Sequence, residues 1–255
     1  MRLDQALVEK KRFESRHQAQ IEIKNGRVLV NKRPIKKPSH QVSDTDEITI
    51  LDLFNPYVSK GGLKLQKALD TFNISFEGKT ILDIGASTGG FTEVALKAKA
   101  KHVYAIEKGH GQFHLKLQNH PNITLLELTD FLTIDHFERF KAIDYYTIDV
   151  SFISSLEIIK HCLKNVYAPM IVLIKPQFEQ TSKKGLIIHE SHHQKILKNY
   201  QNTLNALGLY LNALTYSPIK GGKGNIEFLA YVTKEKSSID VNHCIKEAHI
   251  FLKEA

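Results

Sequence analysis

Long apolar runs are missing from this 255-residue chain. A compact apolar stretch such as Met170-Ile171-Val172-Leu173-Ile174 falls far short of the roughly 18–20 residues that a membrane-spanning helix needs. The opening Met1-Arg2-Leu3-Asp4 has no apolar core of the kind a signal peptide carries. Cysteine is scarce. Cys162 and Cys244 lie far apart in helical patterns and read as buried thiols of an intracellular, cytoplasmic protein, not as a disulfide. The thirteen histidines are scattered, and no cluster of Cys or Asp joins them. No metal site is therefore expected, and His192-His193 reads as a solvated helix start. Internal repeats and low-complexity tracts are absent as well. The glycines Gly85, Gly89 and Gly90 do not make a dinucleotide-binding G-x-G-x-x-G, and no Gly-Lys-Ser/Thr follows to make a P-loop.

Acidic residues are also short in one place. Residues 1–37 hold 11 Lys/Arg against 4 Asp/Glu, a net of +7, whereas the other 218 residues hold 24 against 23. Nearly all of the chain's +8 charge thus sits in its first segment. A local excess of this kind suits a polyanion partner, although a solvated basic face has the same composition.

Residues 1–53 read as one small α+β unit. Helical patterns run over 2–8 and 15–24, the second with Ser15 as its cap and Asn25-Gly26 as its end. A strand follows over 27–30, a turn at Asn31-Lys32-Arg33, and a closing strand over 46–50. Residues 54–62 read as a linker. A helix over 63–72 then presents Leu65, Ala68, Leu69 and Phe72 on one face. Lys64 lies in its first turn, where a cation opposes the helix dipole. That placement is poor for stability and draws attention to function.

From Thr80 onward strand and helix patterns alternate, so residues 63–255 read as an α/β domain with a parallel sheet. Strands are expected at 80–83, 102–107, 123–130, 145–152 and 170–174. A terminal pair, 209–217 and 226–233, flanks a Lys220-Gly221-Gly222-Lys223-Gly224-Asn225 turn, and helices cover 189–206 and 240–252. Thr80 to Thr92 (T-I-L-D-I-G-A-S-T-G-G-F-T) puts an apolar strand, a glycine turn and a helix start in succession. Such a succession opens a nucleotide-type pocket at the strand's carboxyl end, though a plain tight turn is the blander reading. Four strands are expected to end in an acid: Asp83, Glu107, Asp130 and Asp149. Carboxylates gathered at one rim are costly unless a ligand's donors or cations meet them. Lys175 ends an apolar strand, where an unpaired ammonium would be expensive, and Asp149 and Glu227 are candidate partners.

Two sets of motifs resemble known families. R-L-D-x-x-L-V, S-R-x-x-A-Q, G-R-V-x-V-N and K-P-S, in that order over residues 1–50, resemble the S-four RNA-binding domain. The resemblance implies RNA-phosphate contacts from Arg12, Arg16, Lys24, Lys32, Arg33, Lys36 and Lys37, which would position RNA without reading its sequence. The second set is S-K-G-G-L-K-L (59–65), D-I-G-A-S-T-G-G-F-T (83–92), D-V-S-F-I-S (149–154), K-P-Q-F-E (175–179) and K-G-G-x-G-N-x-E-F-L (220–229). Together with the first it resembles the TlyA (hemolysin A) family, in which an S-four domain precedes an FtsJ-like, Rossmann-like S-adenosylmethionine (SAM) methyltransferase. That resemblance implies SAM-dependent 2′-O-methylation of ribosomal RNA, at cytidine, with a ribosomal subunit as partner, no membrane role and no obligatory metal. It carries the family's catalytic tetrad onto Lys64, Asp149, Lys175 and Glu227. Asp83, Gly85, Ala86, Ser87, Thr88, Gly89, Phe91, Glu107, Asp130 and Asp149 become the cofactor residues. Among these, Glu107 is assigned to the ribose, Asp130 to the adenine amino group and the 83–89 loop to the methionine end. In this scheme one lysine is the base that deprotonates the hydroxyl, and the acids fix both ammonium groups. Lys60 stands where an arginine is usual. A catalytically idle RNA-binding or ribosome-assembly factor and a membrane-active hemolysin are the competing readings.

Overall fold

In the computed structural model, residues 1–255 are described except 11, 14, 25, 51–55, 141, 181–184 and 254–255. The chain divides into two units, Met1–Asn55 and Pro56–Ala255. The first packs helices α1 (Leu3–Glu9) and α2 (Arg16–Lys24) on a three-stranded antiparallel sheet. Its strands are β1 (Val28–Val30), β2 (Arg33–Ile35) and β3 (Ile48–Ile50), in the order β2-β1-β3. Leu3, Leu7, Ala19, Ile23, Val28 and Val30 form its core. β2 departs from the sequence expectation, which places Arg33 in the turn. Pro34, which pairs with Leu29, can occupy a strand only because β2 is an edge. The turn before it places Asn31 and Lys32 at φ of 51° and 66°. The expected helix end at Asn25 lies outside the described residues, as do Phe54 and Asn55 of the expected linker.

Asp4 of the R-L-D motif is fully buried in this unit. Arg2 reaches it through two nitrogens at 3.0 Å, Gln20 at 2.7 Å and Arg16 at 3.1 Å. Burial of an ion is tolerable only with such partners. The Arg2 hydrogen bond leads these contacts in holding the Asp4 carboxyl well below the usual range, against the opposing effect of burial.

In the second unit, helix α3 spans Gly61–Phe72 and opens two residues earlier than its pattern suggests. A seven-stranded sheet follows: β4 (Thr80–Ile84), β5 (His102–Ile106), β6 (Ile123–Leu126), β7 (Tyr145–Ile148), β8 (Met170–Ile174), β9 (Tyr210–Tyr216) and β10 (Phe228–Thr233). Their order is β6-β5-β4-β7-β8-β10-β9. β4 to β8 pair in parallel, and β10 runs antiparallel to both of its neighbours. All residues of β4 and β8 are buried, which is why β8 reads as a continuous apolar run and β4 as one interrupted only by Asp83. One sheet face packs on α3 and on α4 (Gly90–Lys97) through Leu65, Leu69, Ile81, Val94 and Leu173. The other is covered by α6 (Ser155–Asn165), α7 (Glu190–Ala206) and α8 (Val241–Lys253), whereas α5 (Leu115–Gln118) extends the α4 face, where Leu117 packs with Ala105 and Leu125. Removing a core side chain such as Ile159 or Leu197 would cost roughly 2–5 kcal/mol.

Cys162 and Cys244 are free, buried thiols, as expected. The expectation for His192-His193 holds for only one of the pair. His192 is exposed, but His193 is fully buried. Its Nδ1 lies 2.9 Å from Nε2 of His249, and its ring meets Phe228 edge-on. Burial, aided by His249, pushes its pKa down to about 4, so this histidine is a neutral core residue. Among the described residues no helix is long and apolar enough to cross a membrane.

Candidate active site

Register assembles the site. Ile84 pairs with Ile106 on one side and Ile148 on the other, so Gly85 follows between Glu107 and Asp149 at the carboxyl ends of three adjacent strands. Gly85 has φ +82°, and a Cβ there would lie 2.4 Å from the Asp149 carbonyl oxygen. Only glycine allows the two chains to approach this closely. A cavity of about 590 Å³ opens at this point, within the roughly 300–1,000 Å³ typical of small-molecule sites. Gly85, Ser87, Glu107, Asp130 and Asp149 line it, with an apolar wall from Ile106, Phe131, Leu132 and Ile158. A cleft of about 280 Å³ shares Gly85, Ser87 and Asp149 with the cavity and adds Lys60, Lys64, Ala86, Thr88 and Phe91.

Two expected cofactor residues line neither space. Asp83 reads as a strand end in the sequence, but β4 continues through Ile84, and Asp83 is fully buried inside it. Its carboxylate accepts hydrogen bonds from Thr92 on α4 at 2.6 Å and Thr147 on β7 at 2.8 Å. Burial with hydroxyl partners alone raises its pKa to about 6. It ties the strand to the helix beneath the pocket. Gly89 is left-handed at φ +92°, and a Cβ there would strike Leu117 and Phe113, so this glycine serves packing.

The expected row of four strand-end acids therefore shrinks to two, Glu107 and Asp149. Glu107 accepts from the backbone N–H of Ser87 at 2.8 Å and of Gly109 at 2.6 Å. Asp130 lies four residues beyond β6, where it caps a short 3₁₀ turn by accepting from Leu132 N–H at 3.1 Å. Lys108 sits 2.7 Å from Asp130, and that hydrogen bond lowers the Asp130 pKa.

The four tetrad residues form two ion pairs. Lys64 donates to Glu227 at 2.6 Å, both nearly buried. Lys175 Nζ lies 2.6 Å from Asp149 Oδ1, off the direction of a well-formed hydrogen bond, and donates to Ser151 Oγ at 2.9 Å. β8 brings Lys175 beside β7, and pairing of Ile174 with Phe228 brings Glu227 to the same end. Lys64 comes from the first turn of α3, whose N-terminal residues pack against the glycine turn. A Cβ on Gly90 would meet Ser59 Oγ at 2.3 Å and Gly62 N at 2.9 Å.

Sequence reasoning missed several residues. Ser151 and Phe152 line the cavity, and Phe152 is 79% exposed at φ +70°, its ring 5.5 Å from that of Phe178. An exposed aromatic beside Asp149 in the D-V-S-F motif was the available signal. Glu179, from K-P-Q-F-E, is half-buried and fixes the start of α6. It accepts from Ser155 N–H at 2.8 Å, from the Ser155 hydroxyl at 2.7 Å and from the Ser154 hydroxyl. Burial raises its pKa.

In the first unit Arg12, Lys24, Lys32, Arg33, Lys36 and Lys37 are all exposed. Arg16 is different: its half-exposed side chain spends a nitrogen on Asp4.

Comparison with known proteins adds to this geometry. The family model described as FtsJ-like methyltransferase matches residues 57–234, and the S4 domain model matches residues 1–48. Hemolysin A of Brachyspira hyodysenteriae is 42% identical, over 91% of this chain and 99% of that protein. The 16S/23S rRNA (cytidine-2′-O)-methyltransferase TlyA of Mycobacterium tuberculosis is 33% identical, over 91% of this chain and 89% of that protein. A solved structure from Streptococcus thermophilus superposes with a TM-score of 0.78 at 35% identity, covering 100% of this chain and 97% of that one.

Proposed function

Since the chain belongs to the TlyA (hemolysin A) family of FtsJ-like methyltransferases, we propose that it methylates the ribose 2′-hydroxyl of cytidine in ribosomal RNA, in the cytoplasm, using SAM. The observation that carries this reading is the placement of two lysine–carboxylate pairs around adjoining spaces: Asp149, partner of Lys175, edges the cavity with Gly85 and Glu107, and Lys64, partner of Glu227, lines the neighbouring cleft.

The donor set fits a nucleoside with a charged amino-acid tail. Glu107 offers two acceptor oxygens for ribose hydroxyls, Asp130 an acceptor for an exocyclic amine, and the apolar wall a slot for a flat base. Both acids already hold donors of the chain itself, so ligand binding exchanges these: Lys108 leaves Asp130, and Ser87 N–H leaves or shares Glu107. When bound, SAM supplies an electrophilic methyl group on a sulfonium. In its neutral amine form Lys175 Nζ would take the hydroxyl proton while the hydroxyl oxygen takes the methyl group and the sulfonium C–S bond breaks. Asp149 and Ser151 orient Lys175, and the Lys64–Glu227 pair places a second ammonium beside the reacting oxygen. The basic first unit holds the RNA by its phosphates, and the ribosomal subunit is the natural source of that RNA. The tetrad argues against an idle assembly factor, because a binding protein gains nothing from two costly buried ion pairs. The hemolysin reading rests on a relative's name.

The test is nucleoside analysis of ribosomal RNA incubated with the full chain and SAM. Appearance of 2′-O-methylcytidine is the expected result. SAM binding without any methyl transfer to 16S or 23S RNA would refute the proposal.

A further inference from the structure

The loop after β9 carries two lysines that the tetrad does not use. It runs from Ser217 to Asn225, directly over Glu227. A Cβ on Gly221 would lie 1.9 Å from Glu227 Oε1, so the backbone rests on the carboxylate itself. The loop is firmly held. Asn225, 2% exposed, donates from Nδ2 to Gly222 O at 3.1 Å and accepts on Oδ1 from Ile187 N–H at 2.9 Å. Gly221 N–H donates to Asn225 O at 2.8 Å, and Ser217 Oγ bonds to Ile219 O at 2.6 Å. Lys223 is fixed at φ +58°, a left-handed conformation that a lysine enters at a cost. Lys220 and Lys223 are nevertheless exposed, and neither makes an ion pair among the described residues.

We propose that Lys220 and Lys223 clamp the RNA phosphates flanking the target ribose. The inference rests on the ribose-methylation reading. The carbon bearing the reacting 2′-hydroxyl is bonded to the carbon bearing the 3′-oxygen, and that oxygen carries a phosphate. A ribose whose hydroxyl meets Lys175 must therefore bring a phosphate to the edge of the same site. This loop lies against Glu227, the partner of Lys64. Its glycines let the RNA backbone come close, and its two unpaired cations match the charge that arrives. The clamp sets the position of the strand and reads no base. A cation on a rigid loop also gives up little freedom on binding, unlike the lysines of a mobile surface.

The experiment uses the full chain with Lys220→Ala/Lys223→Ala and, separately, Lys220→Arg/Lys223→Arg. Single-turnover methylation and RNA binding are followed across a salt series. For the alanine pair the expected result is an increase of roughly tenfold in the KM for RNA. The salt dependence should flatten by about 0.7 for every single-strand phosphate that is no longer neutralised, with SAM affinity unchanged. The arginine pair should retain the wild-type slope. An alanine pair equal to wild type in KM and slope would overturn the clamp. So would a fall in kcat alone, because the loop would then act only through Glu227. A wild-type chain that transfers no methyl group to RNA would overturn the functional reading itself, which keeps the two failures apart.

Discussion

The two units use lysine in opposite ways. In the amino-terminal unit Lys24, Lys32, Lys36 and Lys37 stand in solvent, where their charges are screened and adaptable. In the methyltransferase unit Lys64 and Lys175 are each 9% exposed and sit 2.6 Å from a carboxylate. The aspartates follow the same division. Asp4 is buried among arginines and stays ionised, whereas Asp83 is buried among hydroxyls and is pushed towards its neutral form. The side chain alone sets neither role. Burial and the charge of the nearest partner decide whether a group holds RNA, moves a proton or knits the core.

The largest effect should come from the buried lysines. Lys175→Ala should lower single-turnover methyl transfer by on the order of 10²–10⁴-fold, with SAM affinity nearly unchanged. Lys64→Ala should lose a comparable amount, and the double variant little more, because groups acting as a unit are non-additive. Near wild-type transfer by Lys175→Ala would dissolve the contrast between the two kinds of lysine.

Next comes a change that touches no charge. Gly221→Ala pushes a methyl into the Glu227 carboxylate and should cost roughly 10²-fold in kcat through displacement of that group. Thermal unfolding should show the fold retained, and SAM titration should be normal. Full activity in this variant would mean that the position of Glu227 is unimportant.

Replacing Lys32, Arg33, Lys36 and Lys37 together by alanine should leave SAM binding intact. RNA affinity should fall, and its salt slope should flatten by about 0.7–0.9 for each phosphate left without its cation. Filter binding at several salt concentrations reads both, and an unchanged slope would remove these residues from the RNA surface.

The aspartates should affect stability and leave transfer untouched. The Asp83 pKa is raised from 3.8 to about 6. The stability linked to its proton is thus complete below about 3.8 and lost as pH rises towards 6, a change of roughly 3 kcal/mol. Asp4 has the opposite sign: its contribution is present above its ordinary value and disappears on further acidification. Asp83→Asn should flatten the dependence of denaturant unfolding between pH 4 and 6, while Asp4→Asn should lower stability above pH 4 and flatten the dependence only at the acid end. Matching profiles for wild type and Asp83→Asn would contradict the burial argument.

Much of the site was legible because its chemistry violates local preference. Lys64 opposes its helix dipole, which marked it for function but named no partner; Lys175 terminates an apolar strand, which called for an acid, and of its two candidates Asp149 pairs with it while Glu227 pairs with Lys64. Glu107 and Asp149 were likewise readable as acids at strand ends. What was not legible depended on one-residue boundaries or on distant partners. Asp83 looks terminal until Ile84 pairs with Ile106 and Ile148, and nothing nearby in sequence announces Thr147 as its donor. The hydrogen-bond partner of His193 is His249, 56 positions away. β2 hid behind Pro34, whose tolerance depends on its edge position in the sheet. The sheet's parallel core was legible from the alternation alone, but the extents of β6 and β7 were overestimated because their apolar patterns run on into turns.

The Lys64–Glu227 pair closes a span of 163 residues. During synthesis the amino-terminal unit leaves the ribosome first and can fold by itself, since domains fold largely as units as they emerge. The proposed RNA-holding surface is then complete while Glu227, the partner of Lys64, is still untranslated. A nascent or truncated chain would bind RNA without modifying it, and methylation would certify that translation had passed residue 227.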